Sequence, residues 1–139
     1  MSMKKIVQRN LSLTDRYKLE SIMRGNLVDD GGTICDNCNA IIANIATIRN
    51  QHGKRFHVGL DCMKTLVQSL HNISDYEQEL YEFNANVRFL KWCEIAEVIE
   101  EEQYGFRVHY RNKNGRLVTQ IAFRGSLERQ GFPLPKPKG

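Results

Sequence analysis

Three cysteines and a histidine have the residue types and the spacing of a zinc site. Cys35 and Cys38 form a Cys-x-x-Cys pair, and His57 and Cys62 follow after a gap of eighteen residues. Cys-x-x-Cys in a tight turn lets two thiolates converge on one tetrahedral ion at about 2.3 Å. In the reducing compartment expected for this chain, thiols favour metal binding over disulfides. The sequence therefore predicts one structural Zn²⁺ held by these four residues.

The fourth ligand is less determined than the three cysteines. His57 lies at the end of a predicted strand, five residues before Cys62, whereas paired ligands more often share one helical turn. Asp61, His52 and Cys93 are the alternatives. For Cys93 a buried structural thiol is the simpler interpretation, because its sequence neighbours are apolar and free cysteine is among the most buried residue types.

No catalytic zinc motif accompanies these ligands. A catalytic site keeps one position open for water and places a general base nearby. The His-x-Glu and Pro-Cys-x-x-Cys motifs of the zinc deaminases and the His-Glu-x-x-His motif of metalloproteases do not occur in the sequence. We therefore interpret the protein as non-enzymatic, with a zinc-dependent hydrolase or nuclease as the less favoured alternative.

The sequence also predicts the elements that position the ligands. Residues 44–48 and 55–58 are strand candidates joined by a hairpin turn. Gly59 then predicts a sharp reversal, Asp61 an N-cap, and Cys62 the first turn of a helix. A thiol at a helix N-terminus has a lowered pKa, which favours the thiolate that zinc requires.

This order of knuckle, hairpin and helix is the treble-clef arrangement. Residues 33–70 resemble the small treble-clef or zinc-ribbon-like modules of uncharacterised bacterial and phage proteins. Those modules pair a Cys-x-x-Cys knuckle with an aromatic-x-Val-Gly-x-Asp/Glu-Cys helix start, and residues 56–62, Phe-His-Val-Gly-Leu-Asp-Cys, match this second half. The resemblance covers about a quarter of the chain. It implies a fold, a zinc ion and a phage or mobile-element origin, and little about activity.

Length and composition favour a small α+β protein. The chain has 139 residues, of which 41% are hydrophobic and 26% charged, and this suits one domain. No apolar run approaches the ~20 residues needed to span a bilayer, and no secretory h-region follows the basic N-terminus. We therefore expect a cytoplasmic protein of a bacterial or phage-infected cell, without a membrane partner. Its predicted architecture is a treble-clef zinc module, a long helix and a C-terminal β-hairpin.

The part of the chain before the zinc module is predicted as a strand, a helix and a turn. Residues 4–10 carry a thin apolar signal for a short strand. A helix follows from about Leu13 to Arg24, and Gly25 is well placed to end it. Residues 29–32, Asp-Asp-Gly-Gly, then predict a turn.

A long acidic helix is predicted over residues 74–104. It begins with the capping box at residues 74–77, Ser-Asp-Tyr-Glu. Apolar residues then repeat at alternating steps of four and three, which is typical of a helix packed on another element: Tyr76, Leu80, Phe83, Val87 and Leu90. Three glutamates at residues 100–102 oppose the helix dipole and predict fraying at the C-terminal end.

Residues 105–125 predict a basic β-hairpin. Asn114-Gly115 is a strong signal for a two-residue type I′ turn. Pairing across that turn places Phe106 opposite Phe123, and Val108 opposite Ile121. The other face then collects Gln120 and the candidate nucleic-acid-binding residues, which are Arg107, His109, Arg111, Lys113, Arg116 and Arg124.

Charge is distributed unevenly along the chain, whose formal net charge is +4. Residues 1–73 carry +4, residues 74–104 carry −7, and residues 105–139 carry +7. Residues 131–139, with three prolines and two lysines, predict a flexible basic tail. One hypothesis is an accessory protein that binds DNA or RNA through the hairpin face and this tail.

The alternative hypothesis is a protein-interaction or scaffolding module. In that case the acidic helix and the basic hairpin dock on each other, on a second copy or on another protein. The distribution of charge in the fold affects both hypotheses. If the acidic and basic segments neutralise each other within the fold, the hypothesis of nucleic-acid binding through the hairpin weakens.

Overall fold

The computed structural model describes residues 10–25 and 32–139. The chain divides into two compact units, one ending at Gln78 and the next beginning at Glu79, where the sequence predicted one domain. Helices and strands occur in both, so the predicted α+β class is confirmed. The strand predicted at residues 4–10 and the turn at residues 29–32 fall almost entirely outside the described residues. Within the described ranges, no helix is long and apolar enough to cross a membrane.

The first unit is built on two small antiparallel sheets. Its elements are β1 (Tyr17–Arg24), β2 (Thr33–Ile34), β3 (Ile41–Ile42), β4 (Asn44–Asn50), β5 (Arg55–Gly59) and α1 (Leu60–Leu66), with a 3₁₀ turn at Val67–Ser69. Strand β4 lies between β1 and β5, and β2 pairs with β3. The predicted β4–β5 hairpin and the helix after it are therefore confirmed.

Strand β1 replaces the helix predicted over residues 13–24. A β-bulge between Leu19 and Ser21 shifts its alternation by one residue, so that Leu19 and Ile22 are both buried. Their spacing of three residues imitates the stripe of an amphipathic helix. Met23, which would complete an apolar helical stripe with Leu19 and Ile22, is exposed. Pairing with β4 decides the conformation here, and the helix prediction was wrong.

Helix α1 begins one residue earlier than its predicted cap. Its N-cap is Gly59, and Asp61 lies within the helix with no capping hydrogen bond and a fully exposed side chain. Buried side chains of α1 and of the sheet form the core of this unit, among them Tyr17, Leu19, Ile22, Ala46, Ile48, Val58, Met63 and Leu66. The helix therefore presents Cys62 in its first turn, as the sequence predicted.

Along the chain, helix α2 (Ile73–Ile95) spans the boundary between the two units. It begins before Ser74, so the predicted capping box lies inside the helix; instead the carbonyl of Asn72 accepts the N–H of Asp75 at 3.0 Å. The helix also ends nine residues before the predicted residue 104. Two of the three C-terminal glutamates, Glu100 and Glu101, lie in strand β6 (Val98–Glu101), and Glu100 faces Arg107 of the neighbouring strand.

The second unit is completed by strands β6, β7 (Gly105–Arg111) and β8 (Leu117–Phe123) and helix α3 (Arg124–Arg129). The antiparallel sheet has the order β6–β7–β8. Its inner face buries Phe106, Val108 and Ala122. The ring of Tyr110 stacks on Trp92 of α2 with the centroids 5.2 Å apart. One sheet face packed on a helix therefore forms this core.

The register of the β7–β8 hairpin differs by one residue from the prediction. Val108 pairs with Gln120, and Phe106 with Ala122. The loop is longer than two residues, because the N–H of Asn112 donates to Arg116 O at 3.0 Å and Gly115 adopts a left-handed φ of 74°. A type I turn followed by a left-handed glycine is the usual three-residue hairpin loop.

This shift turns every side chain of β8 to the opposite face. Ile121 and Phe123, predicted in the core, are 50% and 62% exposed, and Ala122 is buried in their place. Gln120, predicted beside the basic residues, lies on the inner face, and its Nε2 donates to the hydroxyl of Tyr110 at 3.5 Å. The second unit consequently exposes apolar side chains along β8.

The C-terminal segment is ordered, which corrects the predicted flexible tail at residues 131–139. The buried ring of Phe132 packs on Phe83 with the centroids 4.9 Å apart. Further along, Ile99 and Lys138 exchange two backbone hydrogen bonds of 2.9 and 3.1 Å. The segment therefore covers the outer edge of β6, in spite of its three prolines.

Candidate metal centre

The Cys-x-x-Cys pair lies in the loop that joins β2 to β3. The N–H of Cys35 donates to Ala40 O at 2.7 Å, and the N–H of Asn39 donates to Cys35 O at 2.8 Å. Asn39 closes the loop with a left-handed φ of 64°, a conformation that asparagine tolerates better than most residues. The loop is therefore a tight knuckle, and Cys35 and Cys38 project from it on the same side.

Backbone hydrogen bonds fasten this knuckle to the end of β5. The N–H of Asp36 donates to His57 O at 2.8 Å, and the N–H of His57 donates to the Asp36 carboxylate at 2.7 Å. Gly59 approaches β3 closely, since a Cβ at this position would lie 2.9 Å from Ile42 Cγ2. Helix α1 starts directly afterwards and brings in Cys62.

The knuckle and the helix together gather three thiols. The Sγ atoms of Cys35, Cys38 and Cys62 all lie within 4.8 Å of one another. Sulfurs bound to one tetrahedral zinc ion are about 3.8 Å apart, given a Zn–S distance of about 2.3 Å. That separation falls within the 4.8 Å bound. The group could therefore hold a metal ion, and thiolate ligands favour soft ions.

Hydrogen bonds at the group stabilise thiolate at Cys35. Burial alone would raise the pKa of this thiol, but the backbone N–H groups of Gly59, Cys38 and Asn37 outweigh burial and lower the pKa. The bond from Gly59 to Cys35 Sγ is 3.4 Å long. Burial and the neighbouring cysteines raise the pKa of Cys62 to about 11. The lowered pKa predicted from the place of Cys62 at a helix N-terminus is therefore wrong for the metal-free thiol. A bound cation would favour the thiolate form of Cys62.

Asn37 supports the thiol group, a role that was not predicted from the sequence. Its side chain is buried, its Oδ1 accepts the N–H of Leu11 at 3.2 Å, and it donates a hydrogen bond to Cys62. An asparagine inside Cys-x-x-Cys normally signals only a turn. Its contact with Cys62 depends on a ligand that lies twenty-five residues away in sequence, so no local pattern could have shown it.

The structure does not bring His57 into the thiol group. Side chains alternate along β5, so Val58 is buried while His57 is exposed on the opposite face of the sheet. The other candidates also stay outside. Asp61 pairs with Lys64 at 3.6 Å, and His52 lies in the exposed turn after β4. Cys93 is half-buried in α2, and burial raises the pKa of its thiol to about 11.

We expect His57→Ala to keep its metal. The exposed ring of His57 contributes no atom to the thiol group, whereas its backbone, which the substitution preserves, bonds to Asp36. Metal content per chain, measured by plasma mass spectrometry after gel filtration, should match the wild type. A marked loss of metal from a folded His57→Ala variant would restore this histidine as the fourth ligand.

Four of the six predicted nucleic-acid-binding residues have partners within the second unit. Arg111 pairs with Glu97 at 2.9 Å and Arg124 with Glu101 at 3.0 Å, and His109 contacts Glu100. Arg107 donates to the Tyr104 hydroxyl at 2.9 Å. Only Lys113 and Arg116, at the hairpin loop, have no side-chain partner among the described residues. The internal neutralisation considered from the sequence is therefore largely realised on this face.

A row of cations crosses the exposed face of the first sheet. Lys18 of β1 lies directly opposite Arg49 of β4, and Arg49 lies directly opposite Arg55 of β5. One carboxylate faces all three, because Glu20 pairs with Arg55 at 2.7 Å and its pKa is lowered by Arg55 first and then by the other two cations. We call Lys18, Arg49 and Arg55 the cation row.

The cation row could not be predicted from the sequence because it depends on strand register. Its members come from three strands, and the strand that carries Lys18 was predicted as a helix. The row continues into a shallow groove of about 280 Å³. This groove is lined by Arg16, Tyr17, Lys18, Arg49, Asn50, Gln51 and His71. Arg16 therefore adds one cation beside the row.

Comparison with protein-family models, curated proteins and solved structures finds no match for this chain. Two features of its own geometry bear on function. One is the three-thiol group in the first unit, and the other is the cation row on the exposed face of the same unit.

Proposed function

We propose that this chain is a structural-zinc protein that binds nucleic acid through the exposed face of its first sheet. Three thiols in a buried group, with N–H donors around them, are the donor set typical of structural zinc sites. The order of knuckle, β4–β5 hairpin and α1 also supports a treble-clef arrangement for residues 33–70. The ligands on which this proposal depends are Cys35, Cys38 and Cys62.

A structural role suits the chemistry around the thiols better than catalysis. Zinc hydrolysis requires an open coordination position and a general base within reach. Within the described residues, no imidazole or carboxylate joins the three cysteines. A small unit of short strands and one two-turn helix also has little core area, and a metal ion compensates for this deficit.

The cation row is the observation that supports nucleic-acid binding. Like charges directly opposite each other on neighbouring strands destabilise a sheet. Lys18, Arg49 and Arg55 form two such pairs in succession, and the single carboxylate of Glu20 cannot neutralise three cations. Folding alone does not account for this arrangement, whereas a polyanionic partner with closely spaced phosphates does.

The side chains around the row favour contacts to phosphates over contacts to bases. On the described exposed face of this sheet, His57 is the only residue with a ring, and the others are small, aliphatic or charged, such as Ser21, Thr47 and Met23. Base stacking on aromatic side chains is the usual device for single-strand recognition. We therefore propose binding through the sugar–phosphate backbone with little dependence on sequence.

The hairpin of the second unit supports this function less well than the cation row. Arg111 and Arg124 are held by Glu97 and Glu101, so a phosphate would compete with an existing carboxylate for each of them. The same pairs reduce the charge available for head-to-tail association of an acidic helix with a basic hairpin. The alternative of a scaffolding module therefore needs a different surface from the one the sequence suggested.

A salt titration tests the proposal. Binding of the zinc-loaded protein to mixed-sequence duplex DNA and to RNA should weaken steeply with salt, because each neutralised phosphate contributes a log–log slope of about −0.9 on duplex DNA. Fluorescence anisotropy at several salt concentrations gives this slope. Scrambling the sequence at constant length should change the affinity little. Absence of binding at low ionic strength would reject the nucleic-acid proposal and leave the zinc proposal intact.

A further inference from the structure

Strand β8 is the edge of the second unit's sheet. The opposite edge, β6, is covered by the C-terminal segment through the pairing of Ile99 with Lys138. No described segment pairs with the outer side of β8. An edge strand presents a row of N–H and C=O groups that another strand can use. The C-terminal segment therefore covers the edge at β6, whereas no described segment covers the edge at β8.

Two hydrogen bonds of the hairpin determine which groups of β8 point outward. Asn112 N donates to Arg116 O, and Arg124 N donates to Tyr104 O. Hydrogen-bonded pairs alternate along an antiparallel ladder, so between these two bonds Val118, Gln120 and Ala122 bond inward to β7. The outward N–H and C=O groups consequently belong to the remaining residues of the strand, which are Leu117, Thr119, Ile121 and Phe123.

The same four residues carry the exposed side chains of β8. Leu117, Ile121 and Phe123 are 55%, 50% and 62% exposed, and Thr119 is exposed as well. Native edge strands are usually protected by charged residues, proline or a bulge. The strand, with the sequence Leu-Val-Thr-Gln-Ile-Ala-Phe, has no charge and no proline, and its pairing with β7 has no register shift.

We propose that β8 pairs antiparallel with β8 of a second copy of this chain, about a two-fold axis at Gln120. In this register Leu117 faces Phe123 of the second copy, and Thr119 faces Ile121 of the second copy. All four pairs consist of residues with outward backbone groups, so each pair exchanges two hydrogen bonds. The two three-stranded sheets become one six-stranded sheet.

A second copy fits this edge because the strand is complementary to itself. A two-fold interface brings the same patch together from both partners, so the pattern along the strand must match its own reverse. The order apolar, threonine, apolar, apolar at residues 117, 119, 121 and 123 places an aliphatic or aromatic side chain in every pair. No charged residue of β8 meets a like charge, since the strand has none.

Sedimentation velocity of the zinc-loaded wild type across a wide concentration range tests this pairing. The protein should sediment as a reversible dimer at high concentration. Ile121→Lys should raise the dimer dissociation constant at least about tenfold, which corresponds to 1.4 kcal/mol, because it places one cation from each copy close together on the two paired edge strands. Ile95→Lys is the matched control, since Ile95 is 61% exposed at the end of α2 and outside β8; it should dimerise like the wild type.

Thr119→Pro is a second test of the pairing, because it removes a backbone hydrogen-bond donor and adds no charge. The N–H of Thr119 points away from β7, so proline removes a donor of the edge and leaves the inner ladder intact. It should also sediment as a monomer with an unchanged circular dichroism spectrum; if it misfolds, Ile121→Lys decides. A wild type that stays monomeric at the highest concentration overturns the proposal. So does a folded Ile121→Lys variant that dimerises as tightly as the wild type. Neither result bears on nucleic-acid binding.

Discussion

Replacing Cys62 by alanine should remove the metal and unfold the first unit around the knuckle. Folding and binding are coupled in small zinc sites, where apparent binding energies are of the order of 10 kcal/mol. Cys62 is the only one of the three thiols that comes from α1, so its loss separates the helix from the knuckle. The wild type should carry close to one zinc ion per chain, and the variant little. Metal analysis and limited proteolysis measure both effects.

Cys93→Ala is the matched control for this prediction. Cys93 lies in α2 outside the thiol group, and its truncation removes only part of one half-buried side chain. We expect full metal content and a loss of stability of roughly 1–2 kcal/mol. Stoichiometric zinc in a well-folded Cys62→Ala variant would refute the site described above. Loss of zinc from Cys93→Ala would instead make this thiol the fourth ligand.

The thiol group was predictable from sequence because its determinants are local. Cys-x-x-Cys specifies a tight loop, and the hairpin turn before residue 55 together with Gly59 and the apolar helix after it specifies how Cys62 returns to that loop. The position of His57 follows from a different property. It depends on which face of β5 is buried, and Val58, not His57, takes the core position. The spacing of a histidine from the cysteines therefore does not show toward which face of the strand its side chain points.

Two predictions that the structure contradicts concern places where a single residue changes the phase of a strand. The bulge after Leu19 puts two buried residues of β1 three apart, which is the period of a helix. The left-handed Gly115 lengthens the hairpin loop and moves Ile121 from the core to the surface. Neither is visible from composition or periodicity, because strand pairing selects the phase. The exposed apolar side chains of β8 are a direct result of the second one.

The acidic and basic segments of the chain are evident from the sequence, but the elements that they form and the pairs that they make are not. Glu100 and Glu101 continue the chain as strand β6, where His109 and Arg124 compensate them. The first pair joins neighbouring strands and the second joins β6 to the start of α3. These opposite charges stabilise the strand, and this outweighs the helical tendency of glutamate. By contrast, Lys18, Arg49 and Arg55 looked unremarkable along the chain and become neighbours only through pairing. Net charge per segment is therefore a poor guide to which surface remains basic.

Replacing Lys18 and Arg49 together by threonine should abolish most nucleic-acid binding and leave the first unit at least as stable. Each substitution removes a cation that faces another cation across the sheet, so we expect a gain of a few tenths to about 1 kcal/mol in the free energy of unfolding. If each residue neutralises one phosphate, the log–log salt slope on duplex DNA should flatten by about 1.8. Thermal unfolding and anisotropy titrations measure the two effects on the same sample.

The control for this double variant is Arg111→Thr with Arg124→Thr, which removes the same number of positive charges from the second unit. Both arginines are paired with glutamates, so their loss should leave the salt slope nearly unchanged. The free energy of unfolding should stay the same or fall slightly, because two exposed ion pairs are lost. A flattened slope in this variant, with normal binding by the Lys18 and Arg49 variant, would place the interface on the hairpin instead. The Lys18 and Arg49 variant should therefore gain stability while it loses binding. This combination is expected of residues that serve binding to a partner at a cost to the stability of the fold.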